Sequence, residues 1–336
     1  MKYSIIVPVF NRPDEVDELL QSLCQQTVKD FEAIIVEDGS EKTCKDVCDK
    51  YASILDLHYY YKENSGPGQS RNYGAERARG EWLIVLDSDV VLPKDYLSHV
   101  NRNLGCDAFG GPDAAHPSFT PVQKAISYSM TSFFTTGGIR GGKAKLDKFY
   151  PRSFNMGIRR DVYLQLGGFS KMRFGEDIDF SYRIVEAGYQ PRLIPQAWVW
   201  HKRRTDFRKF FRQVYNSGIA RINLEKRHPG TLKLVHLLPM VFTVGIIGLL
   251  LCAVLSCLLP SAAHLPPLFL APIILYSLII FIDSSIKNRS LWVGLLSIPA
   301  AFVQLMGYGF GFIESWWKRC VLKKDEFQAF EKNFYS

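Results

Sequence analysis

The sequence predicts an α/β domain built on a mainly parallel sheet, followed by a C-terminal transmembrane helical region. Three observations carry this. Short runs of β-branched and apolar residues alternate with helical patterns over the N-terminal part of the chain. One such run, residues 82–86 (WLIVL), leads straight into Asp87-Ser88-Asp89. Three long apolar runs, at 232–259, about 265–282 and 291–313, carry a single charged side chain among them, Lys233.

Residues 3–9 (YSIIVPV) read as a first buried strand. Pro13 suits the first turn of a helix whose apolar face carries Leu19, Leu20 and Leu23. Residues 31–36 (FEAIIV) form a second strand ending in Glu37-Asp38-Gly39-Ser40, with a helix over 43–51 and a third strand over 57–61. The breaker Asn64-Ser65-Gly66-Pro67-Gly68 opens a helix over 69–78, whose first turns hold Arg71, Asn72 and Gly74. After the strand at 82–86 come a helix at 94–103, a strand at 155–158, a helix at 160–166 and the turn Gly167-Gly168-Phe169. Phe174-Gly175-Glu176-Asp177-Ile178-Asp179-Phe180 opens a further helix that ends at Gly188, and residues 197–201 (AWVWH) make a last strand. In such sheets ligands gather outside the carboxyl ends of the strands, where both acidic clusters fall.

Alternation along a strand puts residues two apart on one face, so the carboxylates of Asp87 and Asp89 can converge. Two converging carboxylates form an oxygen site for a hard divalent cation, Mg²⁺ or Mn²⁺; the alternative for the same tripeptide is a polar turn. Asp38 sits on a loop able to receive a base or a ribose, or else caps a turn. Arg71, at a helix opening, offers a fork suited to phosphate, unless it lies exposed on the helix face. Residues 137–143 (GGIRGGK) read as a mobile loop whose basic side chains are able to fold over a diphosphate.

Net charge is +8, and much of the excess lies over residues 202–227, just before the first apolar run. Positive residues beside a membrane segment mark the cytoplasmic side and contact anionic lipids. Nucleic acid is disfavoured as a partner, because these residues abut a membrane anchor and no nucleic-acid motif is present. The apolar run behind Met1-Lys2 ends at Pro8 and reads as a strand, not a cleavable signal. The expected location is the cytoplasmic membrane, multi-pass, with the α/β domain on the cytoplasmic side. The seven cysteines follow no zinc spacing and read as free thiols in a reducing compartment. The expected organisation is a catalytic domain over 1–228, including a basic interfacial helix over 206–227 with Phe207, Phe210, Phe211 and Val214 on its apolar side. A membrane region of about three helices over 232–315 and a basic, aromatic tail over 316–336 complete it.

Four stretches in order, SIIVPVFN from Ser4 to Asn11, Val36-Glu37-Asp38-Gly39-Ser40, Asn64 through Arg71-Asn72-Tyr73-Gly74, and Leu86-Asp87-Ser88-Asp89, together resemble the signature of the family 2 glycosyltransferases. The resemblance covers roughly residues 3–220. It implies the GT-A nucleotide-sugar fold and an inverting, metal-dependent transfer from a nucleoside diphosphate sugar to a hydroxyl of a lipid-linked or surface-polysaccharide acceptor. Carried onto this chain, it implies donor contacts from Pro8, Asn11, Asp38, Arg71, Asp87 and Ser88, and Mg²⁺ or Mn²⁺ on Asp89 and Asp87 with His201. It further implies an acceptor side with Glu176 and Asn155, and Asp177 as the general base. A lone histidine such as His201 is otherwise a structural hydrogen bonder, and a carboxylate at a helix start otherwise compensates the dipole. Glu37 departs from the family pattern, which usually has a second Asp there. Membrane lipids, the sugar donor and a glycan or lipid-linked acceptor are the expected partners.

The rival readings are a processive polysaccharide synthase and an inactive membrane scaffold. Such synthases usually carry Gln-x-x-Arg-Trp, whereas Gln213 is followed by Val214-Tyr215-Asn216-Ser217. A scaffold has no use for Asp38, Asp87, Asp89 and Asp177 together. A dinucleotide-dependent oxidoreductase is disfavoured, since no Gly-x-Gly-x-x-Gly turn follows the first strand. Three full spans would put Lys318, Arg319, Lys323 and Lys324 across the membrane from the catalytic domain, against the positive-inside tendency, so the third run is either re-entrant or interfacial, or breaks the rule.

Overall fold

The computed structural model describes residues 1–336 except 117, 138–148, 173, 203, 260–263 and 328–336. Its described residues separate into two compact units, one of residues 1–116 and 149–202, the other of residues 118–137 and 204–327. The strands are β1 (Tyr3–Val9), β2 (Phe31–Asp38), β3 (Leu57–Lys62), β4 (Trp82–Leu86), β5 (Val90–Val91), β6 (Ala108–Gly110), β7 (Asp113–Ala114), β8 (Asn155–Arg159), β9 (Pro191–Leu193) and β10 (Val199–His201). Helices of the first unit are α1 (Pro13–Cys24), α2 (Lys45–Tyr51), α3 (Pro67–Arg77) and α4 (Tyr96–Asn101). After α5 (Pro121–Thr131) and α6 (Phe133–Thr136) of the second unit, α7 (Arg160–Gln165) and α8 (Glu176–Glu186) return to the first.

Seven strands form one sheet in the order β3-β2-β1-β4-β8-β6-β9. The first four run parallel, and β8 enters antiparallel between β4 and β6. Strand order reverses between β1 and β4, which opens a crevice at their carboxyl ends. A second, three-stranded sheet has the order β5-β10-β7, with β10 antiparallel to β5 and parallel to β7. Its short strands, and β6 and β9, have too few residues to carry a periodic signal.

Side-chain alternation sorts the sheet into two cores. Tyr3, Ile5, Val7 and Val9 of β1 pack with Leu19, Leu20 and Leu23 of α1, Cys48 of α2 and Tyr96, Leu97 and Val100 of α4. Ile6, Ile34, Val36, Leu83 and Val85 face the other way, against Ala75 of α3, Val162 and Tyr163 of α7 and Phe180 and Ile184 of α8. Gly74 is needed for this second layer, because a Cβ there would stand 2.6 Å from Ile6 Cγ2. Buried Glu32 in β2 accepts from Ser4 Oγ (2.6 Å), Arg79 N (2.7 Å) and Arg79 Nε (2.8 Å). Burial opposes its charge, but these donors outweigh that and hold its carboxyl below the usual value.

The second unit adds α9 (Phe207–Arg227), α10 (Leu238–Leu258), α11 (Pro266–Asn288) and α12 (Leu291–Trp316) to α5 and α6. Three stretches, Leu234–Leu258, Pro266–Asn288 and Leu291–Val321, are long and apolar enough to cross a membrane. Close approach of α9 to α12 uses glycines on both: a Cβ at Gly311 would stand 2.0 Å from Tyr215 O, and one at Gly218 2.2 Å from Tyr308 O.

Candidate active site

The β4 strand stops at Leu86, so Asp87 and Asp89 lie in the turn that leads into β5. They converge, but not through strand alternation. Pairing of β10 with β5 sets His201 opposite Val90, and Lys202 N donates to Asp89 O at 3.0 Å, which carries the imidazole to the acids. His201 Nε2 lies 3.2 Å from Asp89 Oδ1 and 3.9 Å from Asp87 Oδ2. The ring stacks on Phe154 with centroids 5.1 Å apart. One ligand atom from each of Asp87, Asp89 and His201 falls within 4.8 Å of the others. Two hard carboxylate oxygens with one imidazole nitrogen suit a divalent ion such as Mn²⁺ that accepts both donor types.

Two arginines neutralise this acidic turn. Arg12 Nη1 donates to Asp89 Oδ2 at 2.6 Å. Arg71, expected either on a phosphate or exposed on its helix, is only 3% exposed. Its Nη2 donates to Asp87 Oδ1 at 2.8 Å and its Nη1 to Glu176 Oε1 at 2.9 Å, with the guanidinium 5.2 Å from the Phe169 ring. One side chain therefore ties the Asp87 turn to the start of α8, where Gly175 adopts φ 84 as N-cap.

Asp177 follows Glu176 in the first turn of α8. Its Oδ2 accepts from Arg152 Nε at 2.6 Å and its Oδ1 from Ile178 N at 2.9 Å. Burial alone would raise both carboxyls. Arg152 overrides it at Asp177, whose carboxyl is held below the usual range, while burial and the neighbouring Asp177 charge push Glu176 up to about 7.

Asp38 and Asn11 hold loops together. Asp38 ends β2 and does not sit on a loop; its Oδ1 accepts from Ser65 N and its Oδ2 from Gly66 N, both at 2.9 Å, and Lys62 Nζ also donates to Oδ1. Asn11, at φ 54, accepts from Glu41 N and Lys42 N through Oδ1, at 2.9 Å each, and its own N donates to Ser40 Oγ at 2.7 Å. Pro8 lies in β1 opposite Val36 of β2, and Ser88 is buried between the two aspartates. Asn155 is wholly buried, accepting from Tyr96 OH at 2.6 Å and donating to Ala197 O at 2.8 Å, so its amide is engaged inside the protein. Of residues 137–143, all but Gly137 lie outside the described residues.

Residues 4–166 match the family described as Glycosyl transferase family 2. Over those residues the chain carries a family 2 glycosyltransferase domain. It is 30% identical over 209 residues to an uncharacterized glycosyltransferase of Haemophilus influenzae, covering 57% of this chain and 64% of that one. It is 37% identical over 103 residues to the putative glycosyltransferase EpsH of Bacillus subtilis, covering 30% of each. The chain thus spans less than two thirds of the length of either relative. Its fold is similar to that of the mannosyltransferase PcManGT from Pyrobaculum calidifontis, solved in complex with GDP-Man and Mn²⁺, with a TM-score of 0.57 at 15% identity over 95% of this chain and 88% of that one. The architecture of the family 2 domain is GT-A.

Sequence reasoning passed over three basic residues of this domain, Arg12, Lys62 and Arg152, which answer Asp89, Asp38 and Asp177. Arg12 directly follows the SIIVPVFN stretch, which was a usable signal; nothing local marks Lys62 or Arg152. Glu37, the departure from the family pattern, is wholly buried and accepts from Cys44 N (2.8 Å), Tyr59 OH (3.3 Å) and Ser40 Oγ, which makes it an anchor for the loop after β2.

Proposed function

We propose that the chain is a membrane-anchored, inverting glycosyltransferase that moves a sugar from a nucleoside diphosphate sugar to a hydroxyl of a lipid-linked or surface-polysaccharide acceptor, with its catalytic domain, over residues 1–228, on the cytoplasmic side. The observation that carries this is Arg71, which joins the Asp87–Asp89–His201 cluster to the Glu176–Asp177 pair within one buried ion network. Donor-side and acceptor-side chemistry need to be that close for a single displacement.

In this reading Asp89 and Asp87, with His201, would hold Mg²⁺ or Mn²⁺, and a bound cation supplies neutralisation of the charge on the departing diphosphate. Asp38, which steadies the turn at residues 64–66, would contact the nucleoside, while Pro8, Asn11, Arg71 and Ser88 shape the donor pocket. Asp177 is ionised, two of its roughly four acceptor positions are taken by Arg152 and Ile178 N, and the rest are open to an acceptor hydroxyl. It removes that proton as the oxygen attacks the anomeric carbon from the face opposite the diphosphate, which inverts the centre. Glu176 and Asn155 support the acceptor side, Asn155 from beneath. Supporting the donor class, PcManGT is a relative in fold solved with GDP-Man and Mn²⁺.

The test is a panel of nucleoside diphosphate sugars screened by thermal shift with and without Mn²⁺. A metal-dependent rise in melting temperature with one donor, followed by glycosylation of a lipid or saccharide acceptor, is expected. Stabilisation by no donor under either condition would overturn the reading.

A further inference from the structure

Among the described residues three helices qualify as spans by length and composition, yet α12 does not behave like the other two. It starts beside the C-terminal end of α11, where Ser284 and Ser297 share a hydrogen bond of 2.6 Å. By Phe302 it has reached Phe242 of α10, ring centroids 5.8 Å apart. A spanning α12 would continue along α10 to about residue 249 over its next seven residues, about 10 Å of helix. Instead Leu305 O lies 3.5 Å from Thr243 Oγ1, and the Cβ position of Gly309 is 2.6 Å from Pro239 O and 2.0 Å from Thr243 Oγ1. Phe302, Leu305 and Gly309 all meet the first residues of α10. Thus α12 passes along the C-terminal half of α11, where Phe302 also meets Tyr276 with ring centroids 5.7 Å apart, and then crosses the first turns of α10.

Its other neighbours, α5 and α9, are helices that also carry charged side chains. Val293 and Ala300 pack on Ala125 of α5, Val303 on Phe210 and Val214 of α9, and Ser315 Oγ donates to Ile219 O at 3.2 Å. α9 therefore follows α12 through Ser315, and it carries Arg208, Lys209, Arg212 and Arg221. A spanning α12 would draw those charges toward the bilayer core, where they are strongly disfavoured. Of the most apolar stretch of each helix, 39% is buried within the protein for α12, against 22% and 11% for the spans beginning at Leu234 and Pro266. The exposed side of α12 and its extension carries Leu291, Trp292, Leu295, Trp316 and Trp317, a composition suited to the headgroup boundary.

We propose that the chain crosses the membrane twice, through α10 and α11, and that α12 lies in the near lipid interface as the apolar floor beneath α5 and α9. This rests on reading α10 and α11 as spans. It keeps Lys318, Arg319, Lys323 and Lys324 on the side of the α9 cations, as the positive-inside tendency requires, and Arg227 pairs with Glu326 at 2.8 Å on that side.

The test labels the full chain in membrane vesicles of known sidedness with an impermeant maleimide, read peptide by peptide by mass spectrometry. Native Cys320, exposed after α12, is compared with Lys226→Cys on α9 and His264→Cys before α11. Cys320 and Lys226→Cys are expected to label from one side and His264→Cys from the other. Cys320 labelling with His264→Cys would overturn the interfacial α12 and leave the spans intact. All three labelling from one side, with release of the chain by alkaline carbonate, would overturn the spans themselves. Topology reporters fused after Ser290 and after Ser336 give a second measurement without added cysteines: the same side is expected for both, and opposite sides would overturn the proposal.

Discussion

Two parallel strands of the seven-stranded sheet each lead to a pair of acids, and the two pairs are held differently. Glu37 and Asp38, closing β2, are buried, and each is held by main-chain N–H groups, Cys44 N on Glu37 and Ser65 N and Gly66 N on Asp38, beside the side chains of Ser40, Tyr59 and Lys62. Asp87 and Asp89, after β4, have side chains 31% and 13% exposed, and their cationic partners are the side chains Arg71 and Arg12. Main-chain donors cannot leave without refolding a loop, whereas a side chain can rotate away and be replaced by a ligand. On the proposed function, the pair with exchangeable cationic partners carries the metal chemistry, and the pair held by main-chain donors keeps the loops beside it in place.

Substitutions that separate chemistry from anchoring test this contrast. The largest effect is expected at the acid pair of α8: Asp177→Asn should lower turnover by about 10² to 10⁴ with donor affinity nearly unchanged. Initial rates combined with calorimetry check it, and near-normal turnover would remove Asp177 as the base. Next, Asp89→Ala should reduce Mn²⁺-dependent donor affinity by at least the roughly 10- to 100-fold that loss of even an outer partner of a metal ligand costs, with little change in melting temperature. Glu37→Ala should do the reverse. Cys44 N would be left buried without its acceptor at a cost of about 1–3 kcal/mol, lowering the melting temperature while the metal dependence of donor binding persists. If Glu37→Ala instead abolished metal dependence, the division between the two strand ends would fail.

The smallest effect is a pH slope. Glu176 is raised to about 7 by burial and by Asp177, so the folded chain binds its proton more tightly than the unfolded chain does. The stabilisation it contributes is complete below its ordinary value of 4.5 and is lost as the pH rises through about 7. Glu176→Gln should flatten that part of the melting-temperature profile, at about 2–4 °C for each kcal/mol of linkage removed. An unchanged slope would mean that Glu176 is ionised throughout.

What could be read directly from the chain follows from local chemistry. β1, β2 and β4 announce themselves because strands buried on both faces are predominantly apolar, and α10 and α11 because each is long and apolar enough to cross a membrane. The Asp87-Ser88-Asp89 tripeptide was likewise visible, as was the order of motifs around it. Contacts between residues far apart in sequence were not. His201 reaches Asp89 through a strand pairing of two residues, Arg71 turns inward because Glu176 arrives from 105 residues away, and Glu37 becomes an anchor through a loop that folds back on it. The antiparallel entry of β8 and the packing of α5 with α9 and α12 belong to the same class. Apolar periodicity measures how much of an element must leave water, and it is silent about which neighbour covers it; α12 has the composition of a membrane span, and only its neighbours reveal the direction in which it lies.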